Sequence, residues 1–398
     1  MLAESVNLLL HDYAGHPFTF DLAKELARKK YRVTYIFTSA NDTPKGDFSN
    51  TNPNLTVVDI PVFKVQKGNF TQRALHEYLY GKHFLKTVSD EKYDLIISAN
   101  TPLQAQKQIL RWASTRQIPF IFWLQDLLSS AAKSILPQRL GFLGKIIANY
   151  FEYTEKQLLK SSDKIIAISD DFLSKLEEWN INRKQIQVIP NWAPIEKIPL
   201  LNRNNEFSQK IGTNDKFVIL YSGTLGMKHN PSLIFNTAKL LESEKDLLFV
   251  VITEGIGSRY LTTRLTTEPL QNLLVLPFQP FADLPMVLAS ADIILTILEE
   301  DAGAYCVPSK LWSSFCAGKP SVLVVPADNL ASRVTIKNRT GLVLEKHSPR
   351  LLADTLLKIR KDKTLLHSMG VNARRFAEHN FQIKNIAARF ETIFTEIL

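Results

Sequence analysis

Short runs of aliphatic and β-branched residues alternate with amphipathic segments along the first half of the chain. The runs predict strands at residues 5–10, 32–38, 94–98, 119–124 and 164–169. Apolar positions at helical spacing predict helices between them, including residues 18–30, 104–116 and 140–160. Strands that alternate with helices of this length are typical of a parallel sheet covered by helices on both faces.

The same alternation restarts after Pro190. Strands are predicted at residues 216–221, 247–253, 273–276, 293–298 and 321–325, again with helices between them. Two such halves predict an α/β fold with two Rossmann-like, doubly wound domains that face one another across a cleft.

Two prolines within residues 189–194 interrupt regular structure and mark the predicted hinge between the halves. We therefore expect one domain at residues 1–192 and a second at residues 193–375. Residues 376–398 are expected to form a helical segment that packs back on the first domain.

The totals agree with a two-domain globular protein. A length of 398 residues exceeds what one hydrophobic core usually serves, and 45% hydrophobic with 22% charged residues is ordinary for soluble domains. No apolar run reaches about 18 residues, and the N-terminus lacks the basic flank of a secretory signal. Cys306 and Cys316 are too few for a disulfide framework or a four-ligand zinc site. These features predict a cytoplasmic protein.

The net charge of +9 suggests an anionic partner. We expect no nucleic acid, because the lysines are spread along the chain and no helix-turn-helix, zinc-finger or RNP-like signature is present. A phosphorylated ligand and an acidic membrane surface remain as candidate anionic partners.

Two segments of the second half suit a phosphate. Gly223, Thr224 and Lys228 follow the strand at residues 216–221, and a glycine turn lets backbone N–H groups and a lysine approach an anion. Ser309 and Lys310 begin a predicted helix that ends at residues 318–320. An ordinary turn and a capped helix with a surface lysine are the alternatives.

Candidates in the first half lie near the ends of predicted strands. Gly15 would allow close approach of the backbone to a ligand, and His16 follows it. Asp126 follows a buried strand, at the edge where doubly wound domains bind ligands. A structural loop histidine and a helix-capping aspartate are the alternatives. His11 and Asp12 could also face the cleft.

The order of these segments resembles the GT-B glycosyltransferases of family four, in particular bacterial exopolysaccharide enzymes of the colanic-acid type. The resemblance covers nearly the whole chain. It is carried by the segments at residues 11–18, 122–127, 166–170, 188–192, 221–226, 253–257, 284–292 and 308–310.

The resemblance implies the remaining roles. The N-terminal domain would bind the acceptor, with Gly15 and Gln125 on that side, and the C-terminal domain would bind a UDP- or GDP-sugar. The donor diphosphate would contact Gly223, Thr224, Lys228, Ser309 and Lys310. The sugar and base would contact Glu254, Phe278, Gln279, Gly303 and Ala304. Such enzymes usually retain anomeric configuration and need no metal or other cofactor.

One position departs from the family pattern. Many members carry two glutamates separated by seven residues, but Ser313 stands at the helix position and Tyr305 at the other. Glu300 is the candidate for the surviving sugar-side carboxylate, with Glu299 or a plain acidic loop as alternatives. The catalytic candidates are therefore Asp126, Glu300 and His16.

Residues 133–160 combine an apolar stripe with five basic side chains. This pattern suits the face of an anionic inner leaflet, and equally a helix packed on its own domain. Because enzymes of this type often use glycan or lipid-linked acceptors, we expect peripheral membrane association.

The sequence leaves alternatives to glycosyl transfer open. Another GT-B enzyme, such as an inverting transferase or a sugar-nucleotide epimerase, would need a base, and a non-catalytic nucleotide-sugar-binding partner would explain Ser313. A Rossmann dehydrogenase is disfavoured because no Gly-x-Gly-x-x-Gly follows the first strand.

Overall fold

The chain forms two compact units. A computed structural model describes residues 5–40, 48–63, 70–99, 101–226, 229–299 and 308–398, and leaves the side chains of Phe70 and Thr71 undescribed. The first unit comprises Met1–Asn191 and Ile383–Leu398, and the second comprises Trp192–Gln382. The chain returns to the first unit later than the predicted boundary at residue 376, because one helix of the second unit continues to Asn380.

The first unit alternates strands and helices. Its strands are β1 (Asn7–Asp12), β2 (Arg32–Phe37), β3 (Leu55–Asp59), β4 (Leu95–Ala99), β5 (Phe120–Leu124), β6 (Lys164–Ala167) and β7 (Ile186–Val188). Its helices are α1 (Pro17–Arg28), α2 (Phe70–Val88), α3 (Leu103–Thr115), α4 (Leu128–Lys160) and α5 (Asp171–Glu178).

All seven strands are parallel and run in the order β3-β2-β1-β4-β5-β6-β7. β4 and β5 are buried along their whole length, as expected when helices cover both faces of a sheet. The chain order reverses between β1 and β4, where His11 lies opposite Ser98. In doubly wound sheets such a switch point forms a crevice at the carboxyl ends of the strands, so ligands are expected beside Asp12.

The second unit repeats the architecture. Its strands are β8 (Phe217–Ser222), β9 (Leu247–Ile252), β10 (Leu273–Leu276), β11 (Ile293–Ile297), β12 (Ser321–Val324) and β13 (Gly341–Leu344). Its helices are α6 (Glu206–Lys210), α7 (Pro231–Leu240), α8 (Ile256–Thr267), α9 (Leu284–Ala289), α10 (Lys310–Cys316), α11 (Leu330–Asn338), α12 (Pro349–Arg360) and α13 (Lys363–Asn380).

The second sheet is also parallel throughout, in the order β10-β9-β8-β11-β12-β13. Its switch point lies between β8 and β11, so its crevice opens after Ser222 and Ile297. The predicted α/β, doubly wound fold class is confirmed in both units. The short strands β3, β7 and β13, which lie at sheet edges, were not predicted, because each is half-buried or brief and its apolar pattern is weak.

The predicted helix at residues 140–160 is confirmed as the second part of α4. α4 starts earlier and contains a break at Gly141, whose φ of 56° and ψ of −128° are not helical. The two parts fold back on each other: Lys133 Nζ lies 2.5 Å from Glu152 Oε2, and the Gly144 Cα lies against the Leu136 backbone. We call this element the α4 hairpin.

The C-terminal helix α14 (Ile383–Ile397) belongs to the first unit. Its Phe390 ring lies 5.0 Å from the Trp123 ring of β5, centroid to centroid, and Phe394 packs on Tyr31. Lys29 forms an ion pair with Glu391 on the same helix. α14 therefore completes the core of the first unit.

The α4 hairpin generates a stability prediction. Gly144→Ala would place a Cβ 2.1 Å from the Leu136 carbonyl oxygen, which is backbone and cannot rotate away. We expect the parts of the hairpin to be forced apart and the free energy of unfolding to fall by about 1–3 kcal/mol, seen as a lower urea midpoint by circular dichroism. Gly226→Ala is the matched control, since its Cβ would meet nothing nearer than 3.7 Å. Equal midpoints for the two variants would contradict the close packing at Gly144.

Candidate functional site

In the second unit, Lys310 at the start of α10 lies against the end of β8. Its ammonium donates a hydrogen bond of 2.6 Å to the Tyr221 hydroxyl and lies 4.0 Å from the centre of the same ring. A Cβ on Gly223 would lie 3.5 Å from Lys310 Cε, so the glycine leaves just enough room for the lysine stem. The structure thus brings the two predicted phosphate segments together at the switch point.

Tyr221 connects Lys310 to the turn after β8. Its hydroxyl donates to the Thr224 carbonyl oxygen at 2.8 Å while accepting from Lys310. Burial raises the pKa of the Tyr221 phenol above its ordinary value, so the hydroxyl stays neutral and can donate. Sequence reasoning missed Tyr221, because a buried strand tyrosine gives no signal of its role until its partner, 89 residues away, is known.

The turn itself has a conformation that favours glycine. Gly223 has a φ of 133°, and its N–H donates to the Ile252 carbonyl. The following backbone is fixed by Leu225, whose N–H donates to Thr253 Oγ1 and whose carbonyl accepts from Gly257. Lys228 lies outside the described residues.

Helix α10 starts and stops as predicted. Ser309 is its N-cap residue and is exposed, although its side chain makes no capping hydrogen bond. At the other end Gly318 is left-handed, its N–H donates to Phe315, and Lys319 N–H donates to Ser314. These two bonds form a Schellman motif. Ser313, at the family's glutamate position, is half-buried in the helix.

Three of the predicted base and sugar residues are described: Glu254 follows β9, and Phe278 and Gln279 follow β10. The Phe278 N–H lies 3.4 Å from Glu254 Oε1, and the Gln279 amide donates to the Pro277 carbonyl. The structure therefore brings Glu254 and Phe278 together and turns the Gln279 side chain onto its own loop. Nothing described joins them to Lys310.

The acidic candidates of this unit are only partly described. Glu300, Gly303 and Ala304 lie outside the described residues, as does Tyr305. Glu299, the alternative sugar-side carboxylate, has its Oε2 3.7 Å from His347 Nδ1, and His347 Nε2 lies 3.1 Å from the Leu298 carbonyl. His347 was not predicted, because it lies on a loop 48 residues further along the chain.

In the first unit, Asp12 and His16 form a hydrogen-bonded pair at the switch point. Asp12 is fully buried and accepts from the backbone N–H groups of Ala14 and His16 and from Thr19 Oγ1. His16 Nδ1 lies 3.0 Å from Asp12 Oδ2, and its side chain is 32% exposed. Burial favours a neutral Asp12, but the His16 charge and the hydrogen bonds from His16 and Thr19 outweigh it and lower the pKa of Asp12 below its ordinary value.

An ionised Asp12 can only accept, so the proton of a neutral His16 ring must lie on Nδ1. Nε2 is then the basic nitrogen of a histidine that a buried carboxylate orients. His11 is different, because it is fully buried between Ser98 and Tyr80 and burial lowers its pKa to about 3. It is a neutral core histidine.

The backbone conformation and packing at Gly15 both favour glycine. Its φ is 68°, and a Cβ there would lie 2.8 Å from the Phe37 ring, so the glycine permits a turn packed on the core. Gln125 is also buried, and its Oε1 accepts from Asn191 Nδ2 at 2.5 Å. Its Nε2 has no hydrogen-bond partner among the described residues.

Asp126 is exposed and does not cap the helix that follows it. The first N–H groups of α4, at Leu128 and Ser129, donate instead to the buried Glu155 from the second part of the α4 hairpin. Burial raises the pKa of Glu155 to about 7, against the lowering effect of these hydrogen bonds, and the Asp126 charge contributes. Glu155 was not predicted, because the reversal at Gly141 that brings it to Leu128 and Ser129 gives no signal in the sequence.

Within the described parts of the chain, no three His, Cys, Asp or Glu side chains come close enough together to hold a metal ion. The expectation of a metal-free reaction stays a prediction.

Comparison with known families divides the chain within about twelve residues of the boundary between the two units. Residues 17–197 match the family model described as Glycosyltransferase Family 4, and residues 203–376 match the model described as Glycosyl transferases group 1. Escherichia coli (strain K12) WcaI, named as a colanic acid biosynthesis glycosyl transferase, is 24% identical over 259 residues. That alignment spans 63% of this chain and only 62% of WcaI. Bacillus subtilis (strain 168) YtcC, named as a glycosyltransferase, is 20% identical over 85% of this chain and 84% of its own length.

Solved structures share the whole fold at low identity. Anabaena Alr3699/HepE in complex with UDP and glucose matches with a TM-score of 0.70, 17% identity and coverage of 98% of this chain and 99% of that chain. WaaG, a glycosyltransferase involved in lipopolysaccharide biosynthesis, matches with a TM-score of 0.68 and 18% identity over 96% of this chain and 98% of that chain.

The raised pKa of Glu155 predicts a pH dependence of stability. Between its ordinary value of 4.5 and about 7 the folded chain keeps a proton that the unfolded chain has released, so the free energy of unfolding falls as the pH rises through this window. The loss is on the order of 3 kcal/mol. Urea midpoints between pH 5 and pH 8 measure it, and Glu155→Gln should flatten the curve.

Glu206→Gln, at an exposed glutamate of the second unit, is the control and should leave the curve unchanged. A wild-type curve that rises through this pH window would contradict the proposed protonation of Glu155.

Proposed function

Since this chain belongs to the GT-B glycosyltransferases, with a Family 4 first half and a group 1 second half, we propose that it transfers a glycosyl unit from a nucleotide sugar to a glycan or lipid-linked acceptor. The donor is a UDP- or GDP-sugar, the reaction retains the anomeric configuration, and no metal takes part. The names of WcaI and WaaG support a role in bacterial surface polysaccharide synthesis, and the UDP and glucose bound by Alr3699/HepE support a nucleotide-sugar donor.

The observation that carries the proposal is the position of Lys310. Its ammonium is fixed by Tyr221 beside the glycine turn of β8, at the switch point of the second sheet. A diphosphate there would meet a directed positive charge and the backbone of Gly223 and Thr224. Ser309 and Lys228 are proposed as further contacts.

This arrangement suits a reaction in which negative charge grows on a leaving group. The bond between the donor's anomeric carbon and the diphosphate oxygen breaks, and the acceptor oxygen bonds to that carbon. The acceptor proton passes to the departing phosphate oxygen. A lysine already oriented toward the diphosphate stabilises the growing charge without reorganising, which is the role a metal would otherwise have.

The Asp12–His16 pair favours a second candidate. A histidine whose Nδ1 proton is directed to a buried carboxylate is the arrangement of a general base. In an inverting transferase, His16 Nε2 would take the acceptor proton instead of the leaving phosphate, and in an epimerase it would take a proton from a carbon of the sugar. Asp12 would act as a positioning residue.

Lys310→Ala tests the donor site. Removing a charge-assisted contact should weaken UDP or GDP binding by about 1.5–3 kcal/mol, roughly ten- to hundredfold in Kd by calorimetry. Tyr221→Phe keeps the ring and removes only the hydroxyl, so it should weaken binding by about 0.5–1.5 kcal/mol.

Lys337→Ala, at an exposed lysine of the same unit, is the matched control and should bind like the wild type. Unchanged affinity for UDP and GDP in both Lys310→Ala and Lys228→Ala would contradict the proposed donor site. Tight donor binding without turnover on any acceptor would favour the non-catalytic partner instead.

His16→Asn separates the two reaction types. The asparagine amide can still donate to Asp12 but offers no basic nitrogen. If His16 is the base, kcat should fall by about 10²–10⁴-fold and the acidic limb of the pH–rate profile should disappear. In a retaining transferase the profile should keep its shape.

The product supplies an independent readout, since NMR of its anomeric centre distinguishes retention from inversion. His367→Asn, at an exposed histidine of α13, controls for the substitution itself. Inversion in the wild type would overturn the retaining proposal.

A further inference from the structure

The α4 hairpin presents large apolar side chains to solvent. Phe142, just after the break at Gly141, is 79% exposed, the highest value among the large apolar side chains of the described residues. Its neighbours Leu140 and Leu143 are about half exposed. A folded chain leaves such a group in water only at a cost, so a contiguous set of this kind marks a binding surface.

The exposed set continues along the second part of the hairpin. Leu143, Ile146, Tyr150 and Tyr153 are spaced three and four residues apart, which aligns them on one helix face. The opposite face, with Gly144, Ala148, Glu155 and Leu159, is buried against the rest of the unit. The hairpin is thus amphipathic, and its apolar face is the outer one.

The charged residues that α4 itself places at the tip are basic. Arg139 and Lys145 flank the exposed apolar residues, and Lys160 continues the outer face. The acidic residues of α4 are Glu155, which is buried, and Glu152, which pairs with Lys133. An exposed apolar tip flanked by two basic side chains is complementary to an anionic surface that can also take up apolar groups.

The side chains are graded by polarity along the hairpin. Phe142 and Leu143 at the tip have no polar atoms, whereas Tyr150 and Tyr153 lie roughly 12–16 Å further along the helix. Tyrosine suits the boundary between an apolar layer and water, because its ring is apolar and its hydroxyl can form hydrogen bonds with water. In the part of the chain that the structure describes, no helix has the length and apolarity needed to cross a bilayer. The gradient therefore fits shallow insertion.

We propose that the tip of the α4 hairpin, residues 139–146, inserts into the anionic leaflet of a phospholipid bilayer. Phe142 and Leu143 enter the acyl boundary, while Arg139 and Lys145 contact lipid phosphates. Insertion would involve only exposed residues of the first unit and does not depend on the proposed transfer reaction.

Co-sedimentation of the full chain with vesicles tests the proposal. We expect binding to vesicles of phosphatidylcholine with phosphatidylglycerol, weaker binding to phosphatidylcholine alone, and loss with rising salt, since salt screens the contact with lipid phosphates. The double variant Phe142→Ser, Leu143→Ser should lower the partition coefficient at least about tenfold. Lys145→Glu should lower binding to the anionic vesicles only.

Matched controls come from the second unit. Leu240→Ser with Ile336→Ser removes exposed apolar side chains of similar size, and Lys210→Glu reverses an exposed charge, so both should bind vesicles like the wild type. UDP binding by the tip variant should be unchanged, which separates failure of this surface from failure of the donor site.

Two results would overturn the proposal. One is equal vesicle binding by the wild type and the tip variant. The other is a dimer in solution, measured by light scattering without lipid, that the tip variant abolishes, because a second copy would then cover this face.

Discussion

Parallel strands bring all their carboxyl ends to one edge of a sheet, and both sheets of this chain are parallel throughout. Each connection must then run back over a face of the sheet, which buries β4, β5, β11 and β12 completely. A polar side chain in the middle of such a strand would have no water molecules with which to form hydrogen bonds. The chemistry of both units is therefore confined to the carboxyl ends of the strands and the residues just after them, and the two switch points supply the room for it.

Charged and polar groups at these edges are kept only where donors surround them. Asp12 has no exposure and stays ionised because two backbone N–H groups, Thr19 and His16 all donate to it. Glu155 is buried almost as fully and receives donors as well, yet burial favours its proton because its charged neighbour is the acid Asp126 and not a histidine. The contrast shows that the number of donors alone does not set the charge of a buried carboxyl. The sign of the nearby charge decides it.

Periodicity along the sequence was sufficient for the long, fully buried strands and for the fold class, and the family resemblance is confirmed by the two matching family models. Periodicity was not sufficient for β13 or β7, because a short edge strand buries too few side chains to require an apolar pattern in the sequence. The contacts that define the site are long-range: Tyr221 meets Lys310 across 89 residues. Nor can the sequence alone show that Gly141 has a positive φ, so the reversal of the chain within the α4 hairpin was not predicted.

The second unit is an insertion in the first, since the chain leaves at Asn191 and returns at Ile383. Synthesis proceeds from the N-terminus, so the second unit is complete on the ribosome before α14 exists. Until then Trp123 and Tyr31 lack the Phe390 and Phe394 rings that pack on them. The apolar face that α14 covers in the folded chain therefore stays uncovered while the whole second unit is synthesised. The unit whose synthesis begins first is therefore the last to have its complete sequence.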